Sequence, residues 1–582
     1  MNRLYRYIPL IGRKPQTGLL FIIFSLFFSA SASAQESEYR YDDATQLWRL
    51  TENAAGLGLD ASTKESDPWS MSSAYNRGYA EFSFEHQSGN YHRVQEGEQT
   101  NRLLFTTERY QKISMILVGY GRFQFDMDHT KDRAWCDVMR PYNSNPFFSG
   151  SSVKGAYDTQ NFDLTPAVST KPKPQAGGKM DRELTIGMRL DYKVGDLSRL
   201  RDPRSRSELL DYQITPAVTF SFGHHTLGLD GHYKRRKEKI PNMTTVQTDP
   251  NLMYYLMSGM ENANGIVGGY SGFSREWVNH EFGAHLTYGF SSQPSLHAPH
   301  TSFSSLTTIG ISRGAEDAWG QYKFEPGKYT SYIYTVASHN RIRSGRMLHN
   351  IDLDADFTEA YADEYRQQLI QERDADKGYT SYRYETQIEF KKRYQVKTMN
   401  ADFHYRFNWL DAGSGEESVS GGSPAGASEA SVPGAKESIN TYAGLRASLH
   451  SAKNRHLLPS SELKYTFLDL QLEGGKAFLN NRLWIDLAGT FHKSCKAGLT
   501  LADPTTVYAQ SVLQPDMKYY GADYWQGHGE VKYLFPLTIK KMESLWYAKA
   551  YGDYLRTERV TSGKCNKHYE RYTLGLSIGL YY

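Results

Sequence analysis

The sequence lacks most of the marks of a soluble enzyme or a helical membrane protein. Only three cysteines occur in 582 residues. Cys136, Cys495 and Cys565 stand in stretches that read as loops, without the ligand spacing a zinc site needs. A Cys495–Cys565 bridge in an oxidising compartment would leave Cys136 over, and three ordinary unpaired residues fit equally well. Charge of one sign is missing too: 67 Lys and Arg against 64 Asp and Glu leave a net charge of +3. No basic face argues for nucleic acid as a partner. Past Phe28 there is no long unbroken apolar stretch, and the mean hydropathy is −0.62. A bundle of membrane-spanning helices is thereby excluded. The 18 histidines are scattered, and pairs such as His224/His225 and His297/His300 have no flanking carboxylate or cysteine pattern. No metal and no cofactor is expected. Serines and histidines abound, but no local signature singles out a nucleophile and its base, so no catalytic residue and no enzyme is expected.

What is present begins at the N-terminus. Arg3, Arg6, Arg13 and Lys14 precede a short apolar run, Leu19 to Phe28, and Ala32-Ser33-Ala34 follows as a small-residue cleavage pattern. The apolar run is roughly ten residues, half of what a spanning helix requires. No cysteine follows it to take a lipid. Residues 1–34 read as a secretory signal peptide cut between Ala34 and Gln35, 35–75 as a short periplasmic segment, and 76–582 as one β-barrel.

The barrel reading rests on alternation. From Tyr572 to Tyr582 every second residue is large and apolar: Tyr572, Leu574, Leu576, Ile578, Leu580, Tyr582. Thr573, Gly575, Ser577, Gly579 and Tyr581 stand between them. Such a strand turns one face to lipid and the other to a lumen. The same period runs through Leu184–Tyr192, Tyr212–Phe222, His225–Tyr233, Phe282–Phe290, Ile351–Phe357, Met399–Trp409, Leu483–Phe491 and Gly529–Phe535. The 43 tyrosines suit both strands and membrane interfaces. Pro216 removes a ladder donor, so a bulge or a strand end is expected there.

Connections come in two sizes. Gly223-His224, Arg341–Arg346 and Lys391–Gln395 read as short links. Asp126–Ser152, Arg236–Arg275, Ala360–Gly378, Lys493–Ala522 and Arg556–Lys567 read as long ones, and Asp411–Lys436 as a Gly/Ser-rich surface loop. The fold expected is all-β: an antiparallel transmembrane β-barrel of about 16–18 strands, with long extracellular loops and short periplasmic turns. Ser438–Leu479 and Asn76–Phe125 do not parse cleanly into strands.

Two stretches carry a resemblance. Arg140-Pro141-Tyr142-Asn143-Ser144-Asn145-Pro146-Phe147-Phe148 follows the strand Gly119-Tyr120-Gly121-Arg122-Phe123, and Asp202-Pro203-Arg204-Ser205-Arg206 links two alternating strands. With the aromatic C-terminus, they resemble an uncharacterised family of outer-membrane β-barrels from Bacteroidota, over about Tyr79 to Tyr582. The resemblance implies genes near TonB-dependent receptors, and so a role in nutrient uptake with such a receptor as partner. It implies no substrate and no functional residue.

Several side chains are candidates on their own chemistry. If Ile351, Leu353, Ala355 and Phe357 face lipid, then Asp352, Asp354 and Asp356 point inward with Asn350. Stacked carboxylates need a cation, water or basic partners. They form either a cation-steering stripe or an ion-pair network with Arg189, Arg406 or Lys532. Arg204 and Arg206 either bind an anion or belong to a turn set by Asp202 and Pro203. Lys234-Arg235-Arg236-Lys237 either meets lipopolysaccharide phosphates or forms a hydrated rim. Leu574, Leu576, Ile578, Leu580 and Tyr582 resemble the signal read by barrel-insertion machinery. The function expected is a passive channel or an accessory barrel in uptake across the bacterial outer membrane. The competing reading is a closed barrel serving as a surface-binding platform. N-terminal sequencing of the mature chain should begin at Gln35; a chain that still carries Met1 would refute the leader.

Overall fold

A computed structural model describes residues 53–59 and, apart from 115, 143, 171–181, 242, 245–252, 267–273, 293–300, 321–322, 374–377, 379, 413–436, 540–541, 559 and 563–564, residues 76–582. The proposed leader, with Ala34 and Gln35, lies outside the described residues.

Alternating segments cannot bury both faces, so they pair side by side until the sheet meets itself. Eighteen antiparallel strands close in this way. They are β1 Asn76–Gly89, β2 Gln99–Lys112, β3 Leu117–Arg133, β4 Gly155–Thr170, β5 Arg182–Arg199 and β6 Arg204–Phe222. Then come β7 His225–Ile240, β8 Arg275–Ser291, β9 Thr301–Trp319, β10 Gly327–Ser344, β11 Met347–Arg373 and β12 Thr380–Ala412. The last six are β13 Glu437–His456, β14 Ser461–Phe478, β15 Leu483–Thr500, β16 Tyr524–Ile539, β17 Met542–Thr557 and β18 Glu570–Tyr581. Each pairs with its chain neighbours, and β1 pairs with β18 from Tyr79↔Tyr581 to Gly89↔Arg571. Ser438–Leu479, which resisted parsing, holds β13 and β14, joined at Leu457–Ser460.

The terminal strand behaves as its alternation requires. Leu574, Leu576 and Ile578 are 57%, 63% and 47% exposed, whereas Ser577 is 8% exposed. Aromatic residues ring the outer face near the end that holds both barrel termini: Phe220, Phe222, Tyr288, Phe290 and Phe303 on one side, Tyr405, Phe407 and Trp409 on another. Phe491, Trp525, Tyr554 and Tyr572 stand toward the other end. Between Tyr572 and Tyr582 ten residues of tilted strand rise about 25 Å, the height of the apolar band of such barrels.

At the closure Tyr582 exchanges backbone hydrogen bonds with Gly78, at 2.7 and 3.0 Å. Its ring crosses Gly78, where a Cβ would press on it, and its hydroxyl meets Thr107 Oγ1 at 2.8 Å. The Arg109 guanidinium lies over the ring, 5.4 Å from its centroid. The last side chain thus ties β18 to both β1 and β2.

Several connections differ from expectation. Lys391–Gln395 is not a link but lies inside β12, where Lys392 takes a left-handed φ of 52° and the register against β11 shifts. Ala360–Gly378 is strand as far as Arg373, so β11 and β12 run past their neighbours as a two-stranded ribbon. Asp126–Ser152 is strand to Arg133, and Arg236–Arg275 is strand to Ile240. Cys495 lies within β15 as an exposed free thiol, not in a loop, and Cys136 is a buried free thiol. Charged and polar residues at alternate positions masked these strand ends, because beyond the lipid band neither face has to be apolar. Pro216 stays paired with Met188 of β5, but the ladder to β7 skips from Ile214 to Ala217, the interruption its missing donor demands. The tight turns Gly223-His224 and Gly345-Arg346 stand at the end that holds the barrel termini. The stretch 413–436 connects β12 and β13 at that same end; the stretch itself lies outside the described residues.

Arg substituted for Leu576, at mid-band, should lower folding stability by about 2–4 kcal/mol, and for Leu580, near the rim, by about 0–1 kcal/mol. Denaturant titration in lipid vesicles measures both; equal costs would refute the band.

Candidate functional site

Inward side chains supply the chemistry, and the Asp row of β11 is among them. Asp352 accepts from His339 Nδ1 at 2.7 Å and Arg341 Nη1 at 2.8 Å. Asp356 accepts from Asn400 Nδ2 at 3.0 and 3.1 Å. Asp354 faces Asp402 across the β11–β12 ladder and stands 3.8 Å from His339 Nε2. Asp402 is in turn held by Arg446 at 2.8 Å and Ser448 at 2.6 Å. Basic and amide groups from β10, β12 and β13 therefore brace the row. The three cations expected as its partners meet other neighbours. Arg189 pairs with Asp191 at 2.9 Å, Arg406 lies 3.7 Å over the Tyr442 ring, and Lys532 donates to Tyr581 Oη at 2.6 Å.

The basic run of β7 is divided by the same alternation. Arg236 turns inward, buried against Glu238 and 3.7 Å from Glu316. Lys237 turns outward and meets Glu276 at 3.0 Å. Around Pro203, Arg204 meets Asp202 and Arg206 meets Asp196, at 2.9 and 2.5 Å, and Ser205 donates inward to Asp137 at 2.6 Å. The local pairings are those of a turn.

The segment Arg140–Phe148, singled out only by resemblance, holds a central place. It leaves β3 and folds back into the lumen at the end away from the barrel termini. Met139 N–H donates to Glu238 at 2.6 Å, Asn145 reaches Glu316, and Ser144 meets Tyr329. Phe147, fully buried, seats its ring against Gly327, where a Cβ would collide with it. An Asn145 side-chain bond to Phe147 N–H at 2.9 Å sets the local turn. The loop thus spans inward faces from β7 to β10.

Beside it, a short helix, α1 Gln514–Tyr520, enters from the β15–β16 connection. Asp516 of α1 joins three loops: it accepts from Tyr142 Oη at 2.6 Å and from Val94 N–H at 3.0 Å. Burial pushes its carboxyl up to about 7. Burial, and then the nearby Asp516 charge, raise the Tyr142 and Tyr508 phenols, which stay neutral. These groups line a cavity of about 140 Å³ with Gln95, Tyr465 and Tyr520. Aromatic faces, hydroxyls, an amide and a proton-holding carboxyl suit a small polar solute with a flat ring.

The opposite end of the lumen is also occupied. Residues 53–59 lie against the inner wall, where Ala55 carbonyl accepts from Ser169 at 2.9 Å and Thr185 at 3.0 Å. Leu57 packs on Val118 of β3 and Leu59 on Leu306 of β9, so the segment reaches across several strands. Leu348, Leu410, Ile439, Trp484, Leu534, Tyr547 and Tyr581 form an apolar cluster inside the same end.

The closed sheet, its apolar outer band and its loop-filled lumen define a large transmembrane β-barrel. The chain belongs to a family of unknown function, DUF6850, whose model matches residues 68–582. No curated protein matches the sequence. Among solved structures, the barrel aligns with the copper transporter OprC at 9% identity and a TM-score of 0.30, over 87% of this chain and 80% of that one. It aligns with the siderophore receptor PirA from Acinetobacter baumannii at 9% and 0.32, over 87% and 80%. With the outer membrane transporter YddB from Escherichia coli the values are 9% and 0.33, over 87% and 81%. The fold rests on the closed sheet itself and not on these superpositions.

Asp516 binds its proton more tightly folded than unfolded, so its contribution is greatest at low pH and is lost as pH rises toward 7. Hydrogen-exchange protection at Val94 N–H and in α1, taken relative to the intrinsic rate at each pH, should therefore fall between pH 5 and pH 8. Asp516→Asn should abolish that difference; an unchanged pH dependence in the variant would refute the role of this carboxyl.

Proposed function

We propose that this chain is a bacterial outer-membrane barrel for nutrient uptake, an accessory or passive channel whose own loops gate the lumen. The end with the barrel termini faces the periplasm and the loop-filled end faces outside. The carrying observation is the cavity around Asp516, Tyr142, Tyr508 and Tyr520, because it puts solute-binding chemistry where a nutrient would arrive. The braced row Asp352, Asp354, Asp356 and Asp402 follows it along the wall and suits a solute with cationic or hydroxyl groups. Leu574 to Tyr582 are the residues that the insertion machinery reads, and a TonB-dependent receptor is the partner we expect beside the barrel.

The second reading, a closed barrel used as a platform at the lipopolysaccharide surface, draws on residues 53–59 and the apolar cluster inside the periplasmic end. Planar-bilayer recording separates the readings. The intact chain should give little steady current, and removal of residues 501–523 should produce stepwise openings. Steady current through the intact chain would mean an ungated pore. Silence from both folded proteins would leave the platform standing and refute transport.

A further inference from the structure

The histidines look scattered along the chain, yet two of them meet on the lumen wall. Asp230 and His232 point inward from β7, and His285 from β8; the ladder sets Asp230 opposite His285 and His232 opposite Gly283. One donor atom from each lies within 4.8 Å of the others. Asp230 Oδ1 accepts from His285 Nδ1 at 2.7 Å. Asp230 Oδ2 and His232 Nδ1 are buried and have no hydrogen-bond partner. The two side chains are only 1% and 6% exposed, so bulk solvent does not reach these atoms.

The wall is shaped around the rings. A Cβ on Gly283 would overlap the His232 imidazole, and one on Gly310 would overlap that of His285. The imidazoles lie stacked, with centroids 5.4 Å apart. Glu281, on the same face of β8, stands 3.4 Å from His232 Nε2. A carboxylate there takes up one ring nitrogen and leaves Nδ1 as the free donor, the usual arrangement behind a metal-bound histidine. His285 is 24% exposed on its lumen side, which gives a cation a way in.

From this geometry we infer that Asp230, His232 and His285 bind a divalent transition cation, of which zinc is the representative. Two imidazoles and one carboxylate suit such borderline cations far better than calcium or magnesium, which prefer all-oxygen shells. Ligands about 2.1 Å from zinc stand roughly 3–4 Å apart, so the trio closes by about an ångström. The fourth position faces the lumen and is left to water or to a passing solute. The site does not depend on whether the barrel conducts.

The full-length barrel, refolded in detergent and stripped with a chelator, is titrated with zinc by calorimetry. One zinc per chain is expected at this site. His232→Gln and His285→Gln should each weaken it at least a hundredfold, and Glu281→Gln by about 10–100-fold. His492→Gln removes a histidine paired elsewhere, with Asp469, and should change nothing. Heat-dependent mobility on gels verifies that each variant is a folded barrel. Should a ligand variant fail to fold, Gly283→Ala keeps all three ligands while displacing His232 and should still weaken binding at least tenfold. X-ray absorption should find a zinc shell of nitrogen and oxygen with imidazole scattering. No zinc bound by the intact chain, or equal binding by intact protein and the His232→Gln/His285→Gln double variant, would overturn the assignment.

Discussion

A backbone in hydrocarbon has no water to bond with, so every strand must have a neighbour on both sides. The pairing of β1 with β18 is where this chain meets that demand, and the rest of the molecule is conditional on it. Tyr582 strengthens the seam by reaching over Gly78 to Thr107 and Arg109. Closure in turn fixes which side chains look inward. Alternate residues of the same strands make the oily exterior and the wet interior, and neither can be altered by one register step without exchanging the two.

That coupling explains how a polar sequence makes a membrane protein with a furnished interior. The carboxylate row, the divided basic run of β7 and the cation–aromatic pairs of Arg406 and Lys532 are the reverse sides of lipid-facing strands. Loops complete the interior. Met139–Phe148 contributes mainly hydrogen bonds to buried Glu238 and Glu316, and α1 contributes one carboxyl that holds three loops together.

Inside the lipid band, alternation made the architecture legible: Tyr572–Tyr582, Leu184–Tyr192 and Met399–Trp409 could be assigned to a wall from their period alone. The expectation that Asp352, Asp354, Asp356, Arg189 and Arg406 point inward came from the same period. Outside the band the signal vanished, because a strand wetted on both faces has no reason to alternate; β11 beyond Ala360 and the end of β3 were read as loops for that cause. Pairing between distant segments was also hidden. Nothing near His339 in sequence marks it as the partner of Asp352, nor does Val94 announce a bond to Asp516. His232 and His285 come together only because a long connection returns β8 to the side of β7.

The ribbon of β11 and β12 departs from the rule that governs the wall. Past Tyr365 and Phe390 each of its two strands has a ladder on one side only, so a row of amides and carbonyls along each margin lies outside any ladder. Arg366, Arg373, Arg383, Glu385 and Glu389 crowd these margins with charge, which discourages stacking against an identical ribbon. An extended peptide of complementary charge, laid along either margin, would gain main-chain bonds without displacing any that the barrel uses.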